Sequence, residues 1–213
     1  MSYKLYYSPG SASHVVHWML IELGVPHELV RVDIEAGANR EPSYLRLNPA
    51  GRVPTMIVDG VARTESAALL MLLAERHPEH MLAPLPGSTD RAEWLETMLF
   101  LANSGLPAMR DWFYADKEGE PAHADGIRRL AQRRIEAVLE RMDRKLADRA
   151  WLVGDSLTTA DLLGTMIMRW SRNMPRPATE WVNLAPYVTR MRSRPSFTAL
   201  YAREGLADWL NPD

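Results

Sequence analysis

Hydroxyl and carboxyl side chains cluster at two places where a predicted strand gives way to a predicted helix. Ser11 and Ser13 stand at the start of the first helix, after a short strand that ends at Tyr7. Glu65 and Ser66 occupy the same kind of boundary before a later helix. Unpaired backbone N–H groups at a helix start bind anions, and nearby hydroxyl or carboxylate groups add hydrogen bonds and charge. Both places are therefore candidate sites for a ligand that carries charged groups.

The composition excludes several kinds of chemistry. The 213-residue chain has no cysteine, which excludes disulfides, thiolate metal sites, cysteine nucleophiles and dithiol redox motifs. If thiol chemistry takes place on this protein, the thiol must come with a ligand. Lysine and arginine number 25 against 27 aspartates and glutamates, and this balance argues against a nucleic-acid or anionic-membrane partner. No apolar run approaches the ~18 residues of a membrane span and no export signal is evident, so we expect a cytoplasmic protein.

Hydrophobic periodicity divides the chain into a mixed α/β domain and an all-α domain. The predicted order over residues 1–80 is β-α-β, a linking helix, then β-β-α, with strands over 4–7, 27–32, 55–58 and from 61, and with Asp59 and Gly60 as a two-residue turn between the last two. Residues 81–90 are rich in proline, glycine and serine and form the predicted linker. Residues 91–213 are predicted to be helical, starting with one long helix in which a bend is expected at Pro107. The predicted helices cover residues 13–23, 42–47, 66–76, 91–114, 126–149, 158–172, 185–194 and 196–204.

Four segments together resemble cytosolic glutathione transferases, most closely the bacterial beta-class branch. They are LYYSPGSASHVVHWMLIELG (5–24), NPAGRVPTMIVDG (48–60), TESAALLMLLAERHP (64–78) and SLTTADLLG (156–164). The resemblance extends over nearly the whole chain. It implies a thioredoxin-like domain that binds glutathione, a helical domain that shapes an acceptor pocket, and a homodimer. The implied reaction is attack of bound glutathione thiolate on a small electrophilic or hydrophobic compound.

The resemblance assigns glutathione to two loops of the first domain. A cis peptide at Val53-Pro54 would turn the Val53 backbone toward the cysteinyl part of glutathione, and a trans proline before an edge strand is the alternative. Glu65 and Ser66 match the ammonium and the α-carboxylate of the γ-glutamyl group. Ser66 would also suit plain helix capping. Arg52 is either a ligand for the glycyl carboxylate or an ordinary surface arginine.

The hydroxyl groups near the first helix are candidates for activating the glutathione thiol. A thiol pKa near 8.5 must fall by about two units for ionisation at neutral pH, which requires roughly 3 kcal/mol. A hydroxyl hydrogen bond and a helix N-terminus can each supply about 1 to 2 kcal/mol. Ser13 and Tyr7 match beta-class positions, whereas other branches use a serine nearer Ser11. Ser11 and Ser13 rank equally and Tyr7 follows, with helix capping by Ser13 and strand packing of Tyr7 as the structural alternatives.

Two positions depart from the beta-class pattern. Ala12 stands where that class has a loop cysteine, so its mixed-disulfide chemistry does not transfer to this chain. Asn103 stands where the class has a histidine of the second domain, and it can donate a hydrogen bond to glutathione but cannot titrate. These departures leave a rival hypothesis open, namely a glutathione-binding regulatory or non-conjugating protein of the same fold. Glutathione-dependent dehalogenation and isomerisation are further possibilities.

An aromatic and aliphatic cluster in the second domain is the candidate acceptor pocket. By base rate such residues are mostly core, but one or two of them could contact the electrophile, with Trp209 closing over it. The cluster comprises Leu106, Met109, Trp112, Phe113 and Tyr114.

Three further patterns have structural interpretations. Thr158 and Asp161 form a capping box, so loss of Asp161 should damage stability before activity. His17 is a lone histidine beside apolar residues and is predicted to be structural. The arginines between 128 and 149 alternate with acidic residues and are predicted to form a solvated helix face. No set of histidines and acidic residues has metal-ligand spacing, so no metal is expected.

Overall fold

The computed structural model describes residues 3–118 and 120–210, which form two compact units. The first unit runs to Met81 and resumes at Ser193, whereas the second comprises Leu82–Arg192. The segment from Ser193 onward therefore packs with the α/β unit and not with the helices that precede it. No helix in the described ranges is both long and apolar enough to cross a membrane.

A four-stranded mixed sheet forms the first unit. Strand β1 (Tyr3–Tyr7) is parallel to β2 (His27–Arg31) and antiparallel to β3 (Thr55–Val58), and β3 is antiparallel to β4 (Val61–Arg63). Asp59 and Gly60 have φ of 52° and 78°, which fits the two-residue turn predicted between β3 and β4. The spatial order of the strands is β2-β1-β3-β4.

Helices cover both faces of β1. Side chains alternate along a strand, so Tyr6 and Tyr7 point to opposite faces. The Tyr7 ring lies 5.6 Å from the ring of His17 in α1 (His14–Glu22). The Tyr6 ring lies 5.9 Å from that of Tyr44 in the short helix α2 (Pro42–Leu45). Helix α3 (Ser66–Arg76) also packs against α1. The helices and strands predicted within residues 1–80 are present, with ends that differ by at most two residues.

The second unit is helical. Its helices are α4 (Asp90–Phe100), α5 (Leu106–Tyr114), α6 (Ala124–Lys145), α7 (Thr159–Trp170) and α8 (Leu184–Arg192). The predicted helix over 126–149 is too long, because the chain turns at Leu146 and brings Leu152 and Val153 into the core. The last helix, α9 (Pro195–Glu204), belongs to the first unit.

A π-helical turn joins α4 to α5. It covers Leu101–Gly105, and the N–H of Leu106 donates to the carbonyl of Leu101. Pro107 has no N–H for the carbonyl of Asn103, so the α-helical bonding pattern cannot continue through this point. The long helix predicted from the sequence is thus continuous, and it widens where a simple bend was expected.

The capping box at the start of α7 is present and buried, as the sequence predicts. The Asp161 carboxylate accepts from the N–H of Thr158 at 2.8 Å, the N–H of Leu152 at 2.9 Å and the hydroxyl of Tyr187 at 2.8 Å. Burial raises the pKa of Asp161, although these hydrogen bonds oppose the rise. One side chain therefore joins α7 to α8 and to the loop before α7.

Candidate functional site

Serine hydroxyls close the loop between β1 and α1. The N–H of Ser8 donates to Oγ of Ser13 at 3.0 Å, and the hydroxyl of Ser11 donates to the carbonyl of Ser8 at 2.7 Å. The hydroxyl oxygens of Ser11 and Ser13 are 2.9 Å apart. The two serines singled out in the sequence thus belong to one hydrogen-bonded cluster at the start of α1, which we call the serine cluster.

The two hydroxyls differ in exposure and in bonding. Ser13 is 0% exposed, whereas Ser11 is partly exposed. Ser13 occupies the N-cap position of α1, but its side chain makes no capping hydrogen bond and accepts from the N–H of Ser8. Its hydroxyl also lies within 3.1 Å of the Ser8 carbonyl. Because Ser13 can donate to that carbonyl, the Ser11 hydroxyl can turn to another acceptor while the carbonyl stays paired.

Tyr7 ends β1 directly before the serine cluster. It is partly exposed, and its ring packs beside His17. No hydrogen bond joins its hydroxyl to another residue in the described part of the chain. The hydroxyl therefore remains available as a donor.

The loop before β3 places the Val53 backbone directly ahead of that strand. The Val53-Pro54 peptide bond is cis, as the sequence predicts. The carbonyl of Arg52 accepts from the Tyr44 hydroxyl and from the Asn48 side-chain amide, each at 2.7 Å. These two buried side chains fix the loop, while the Arg52 side chain is exposed. The sequence motifs did not reveal this role of Asn48 and Tyr44.

The turn into α3 has an uncommon backbone conformation. Glu65 has φ of 68° and ψ of 107°, a region that non-glycine residues rarely adopt and that is often found at functional sites. Ser66, the first residue of α3, is buried, and its hydroxyl donates to the carbonyl of Ala12 at 2.8 Å. This bond places the start of α3 beside the serine cluster. The Glu65 side chain is exposed next to it.

A buried carboxylate from α9 reaches the same loop. Oε2 of Glu204 accepts from the N–H of Gly10 and from Nδ1 of His14, each at 2.8 Å. Oε1 accepts from Nδ1 of His17, also at 2.8 Å. The side chains of Glu204 and both histidines are between 0% and 1% exposed. We call these three residues the carboxylate–imidazole cluster.

The carboxylate of this cluster is ionised at neutral pH. Burial raises the pKa of Glu204, but hydrogen bonds from His14, His17 and Gly10 outweigh burial and bring the pKa to about 2. Both Nδ1–H groups point at the carboxylate, so each of its oxygens has a donor. Within the described ranges, no group of three or more histidine, cysteine, aspartate or glutamate side chains could hold a metal ion.

The sequence carries a signal for Glu204 that our prediction missed. Phe197, Leu200 and Tyr201 lie on the apolar face of α9, and Glu204 follows them at the same helical spacing. A carboxylate on an apolar face requires hydrogen-bond donors. The predicted structural role of His17 agrees with its burial, whereas His14 was not singled out.

Asn103 lies in the π-helical turn of the second unit. Its side chain is exposed. With Phe100, Ser104 and Arg134 it lines a cavity of about 460 Å³ at the α5–α6 surface. Its amide group is thus accessible from solvent.

The apolar candidates of the second unit differ in exposure. Met109 is 0% exposed and lies in the core of this unit. Phe113 is 43% exposed, with its ring 6.2 Å from that of Trp170. Leu106, Trp112 and Tyr114 are partly exposed. Trp209, in the first unit, is partly exposed and lies 6.2 Å from the ring of Phe197.

The fold and the three loops define a class of protein, in which a thioredoxin-like unit with a cis-proline loop precedes a helical unit. Residues 10–76 match the model of the glutathione S-transferase N-terminal domain, and residues 128–195 match that of the C-terminal domain. The chain is 31% identical to glutathione S-transferase GST-4.5 of Xanthomonas campestris, over 95% of this chain and 99% of that protein. It belongs to the glutathione S-transferase family.

Solved structures support the same assignment. A sphingomonad glutathione S-transferase complexed with glutathione matches with a TM-score of 0.83 and 31% identity, over 96% of this chain and 100% of that chain. The bacterial beta-class enzyme of Sphingomonas chungbukensis matches with a TM-score of 0.84 and 29% identity, over 96% and 100% of the two chains. The predicted family, fold and branch are confirmed.

Proposed function

We propose that the protein binds glutathione at the first unit and activates its thiol for attack on small electrophilic compounds. One observation carries this proposal. The Ser66 hydroxyl bonds to the Ala12 carbonyl at 2.8 Å, so the Glu65–Ser66 turn lies beside the loop of the serine cluster. A tripeptide with a charged γ-glutamyl end and a central thiol could bind to the turn and the loop together.

The charged and peptide groups of glutathione have matching partners. The N–H groups at the start of α3 would bind the α-carboxylate, and Glu65 would bind the α-ammonium. The Val53 backbone would pair with the cysteinyl peptide group in the manner of an added strand. Arg52 would bind the glycyl carboxylate. Asn103 would donate one further hydrogen bond.

The Ser11 hydroxyl is the favoured donor to the sulfur. It is partly exposed, and Ser13 can take over its bond to the Ser8 carbonyl. The N-terminus of α1 would add electrostatic stabilisation of the thiolate. Ser13 would then support the loop, and Tyr7, whose hydroxyl is available, is the second candidate donor. A mixed disulfide with the protein is excluded, because the chain has no cysteine.

The electrophile would contact apolar side chains that remain accessible. Leu106, Trp112, Phe113 and Trp209 fit this role, whereas the buried Met109 would support them from the core. We further propose that the protein acts as a cytoplasmic homodimer, as the family resemblance implies.

A conjugation assay tests this function. The protein should consume glutathione thiol in the presence of a panel of aryl halides, epoxides and unsaturated carbonyls, and mass spectrometry should detect the thioether. S-methylglutathione, which has no free thiol, should bind and give no product. Binding of both peptides without a thioether from any electrophile would favour the rival function, a non-conjugating glutathione-binding protein.

A further inference from the structure

Two carboxylates connect α1 to the segment that begins at Ser193. Glu22, at the end of α1, accepts from Arg194 and from the hydroxyl of Ser196. Glu204 accepts from His14 and His17 near the start of α1. Of the two, Glu204 also accepts from the loop backbone, through the N–H of Gly10. The two carboxylates thus form a matched pair in which one member reaches the loop that carries the serine cluster.

The bond to Gly10 joins α9 to the loop before α1 and not to α1 itself. Gly10 precedes Ser11 in the chain and has φ of 66°, so its conformation sets the direction in which the loop leaves β1. A charge in an otherwise apolar interface is costly unless it is fully hydrogen-bonded, and Glu204 has three donors. An apolar residue at position 204 would pack the helices but would remove the hydrogen bond that the N–H of Gly10 donates to α9.

We propose that Glu204 is a positioning residue for thiol activation. Its carboxylate, held by His14 and His17, fixes Gly10 and thereby aims the Ser11 hydroxyl at the sulfur of bound glutathione. This inference rests on the proposed function, since it requires a thiol at that place. His14 and His17 act through Glu204 and do not touch the ligand.

The direction in which the pKa of the bound thiol changes separates positioning from a simple charge effect. A buried negative charge disfavours a nearby thiolate, so removing it would by charge alone lower the pKa of the bound thiol. Loss of positioning does the opposite, because the thiolate loses the Ser11 hydrogen bond. In the described part of the chain, the other titratable rings near this cluster are those of Tyr7 and His27, which lie 5.6 and 5.7 Å from the ring of His17, and that of Tyr201, which lies 5.7 Å from the ring of His14.

The test compares Glu204→Gln with the matched variant Glu22→Gln. Both are saturated with glutathione, and the thiolate absorbance of the complex is followed against pH. We expect Glu204→Gln to raise the pKa of the bound thiol by about one unit, a loss of about tenfold in thiolate at low pH. Glu22→Gln should leave that pKa at the wild-type value, even if both variants unfold at lower temperature.

Two variants of His17 keep the test decisive if Glu204→Gln does not fold. Asparagine at position 17 can place an N–H near the position of the imidazole Nδ1–H, whereas leucine cannot. His17→Asn should retain the wild-type thiol pKa, and His17→Leu should raise it. A thiol pKa that falls or stays unchanged in Glu204→Gln, or that rises equally in Glu22→Gln, would overturn the positioning role. Equal thiol pKa values in the two His17 variants would overturn it as well. A wild-type protein with an ordinary thiol pKa would instead refute the proposed function itself.

Discussion

The hydroxyl of Ser66 donates to the carbonyl of Ala12 at 2.8 Å, so the starts of α3 and α1 lie side by side. Each helix start presents backbone N–H groups without partners inside the helix and carries a partial positive charge. One start suits the α-carboxylate of a γ-glutamyl group, and the other suits a thiolate. In the proposed function, this hydrogen bond keeps the binding positions of the two charged groups of the ligand next to each other.

Replacing Ser11 should impair thiol activation. In Ser11→Ala the sulfur loses its hydroxyl donor, so the pKa of bound glutathione thiol should rise by about one unit and kcat/KM should fall about tenfold. In Ser13→Ala the N–H of Ser8 loses its acceptor, so the main effect should be a lower unfolding temperature. Titration of thiolate absorbance and calorimetric melting measure the two effects. Two variants with wild-type titrations and turnover would exclude the hydroxyl mechanism.

Replacing Glu65 should weaken glutathione binding, because the ion pair with the α-ammonium group of the ligand is lost. Glu65→Gln should raise KM for glutathione about tenfold with little change in kcat, because the lost ion pair forms before the reaction. Deaminated glutathione, which has no α-ammonium, should bind the wild type and Glu65→Gln equally well. Glu28→Gln, an exposed change on β2, serves as the control. An equal loss of affinity for both peptides would contradict the assigned ion pair.

Replacing Asp161 should reduce stability with little effect on glutathione binding. Asp161→Ala removes the acceptor of four buried donors, which are two backbone N–H groups and the hydroxyls of Thr158 and Tyr187, and we expect a loss of about 3 kcal/mol in the free energy of unfolding. Urea denaturation measures this loss. Asp155→Asn, in the exposed loop before α7, should change stability by less than about 0.5 kcal/mol. A comparable loss in both variants, or a selective loss of glutathione binding, would show that the capping box is not the stabilising element.

Glu204 should make the protein sensitive to acid. Its pKa is about 2 in the folded protein against an ordinary value of 4.5, so the unfolded chain binds this proton more tightly. Its contribution of about 3 kcal/mol is therefore present above pH 4.5 and is lost as the pH falls toward 2. The raised pKa of Asp161 acts in the opposite direction. In denaturation series at several pH values, Glu204→Gln should show a shallower decline over this window than the wild type, and parallel curves would contradict the assignment.

Local patterns explain what the sequence could predict. The turn at Asp59 and Gly60 and the capping box of Thr158 and Asp161 depend on neighbours within a few residues. The cis bond at Val53 followed from a recognisable motif. These features require no knowledge of how distant segments pack.

Long-range packing explains what the sequence could not predict. The contact between His14 and Glu204 joins residues 190 positions apart, so no local periodicity connects them. The burial of Ser13 likewise depends on how the loop folds over α1. Pro107 predicted a disturbance of the long helix, but its form as a π-helical turn also reflects Gly105, where a Cβ atom would lie 2.7 Å from Ile167.

The central claim concerns the ionisation of a thiol that the protein does not itself possess. Since the chain has no cysteine, any thiolate absorbance of its complex with glutathione belongs to the ligand. Titration of that absorbance at saturating glutathione should give a pKa about two units below the ordinary thiol value of about 8.5. A pKa that remains near 8.5, or the absence of binding heat at millimolar glutathione, would contradict the account.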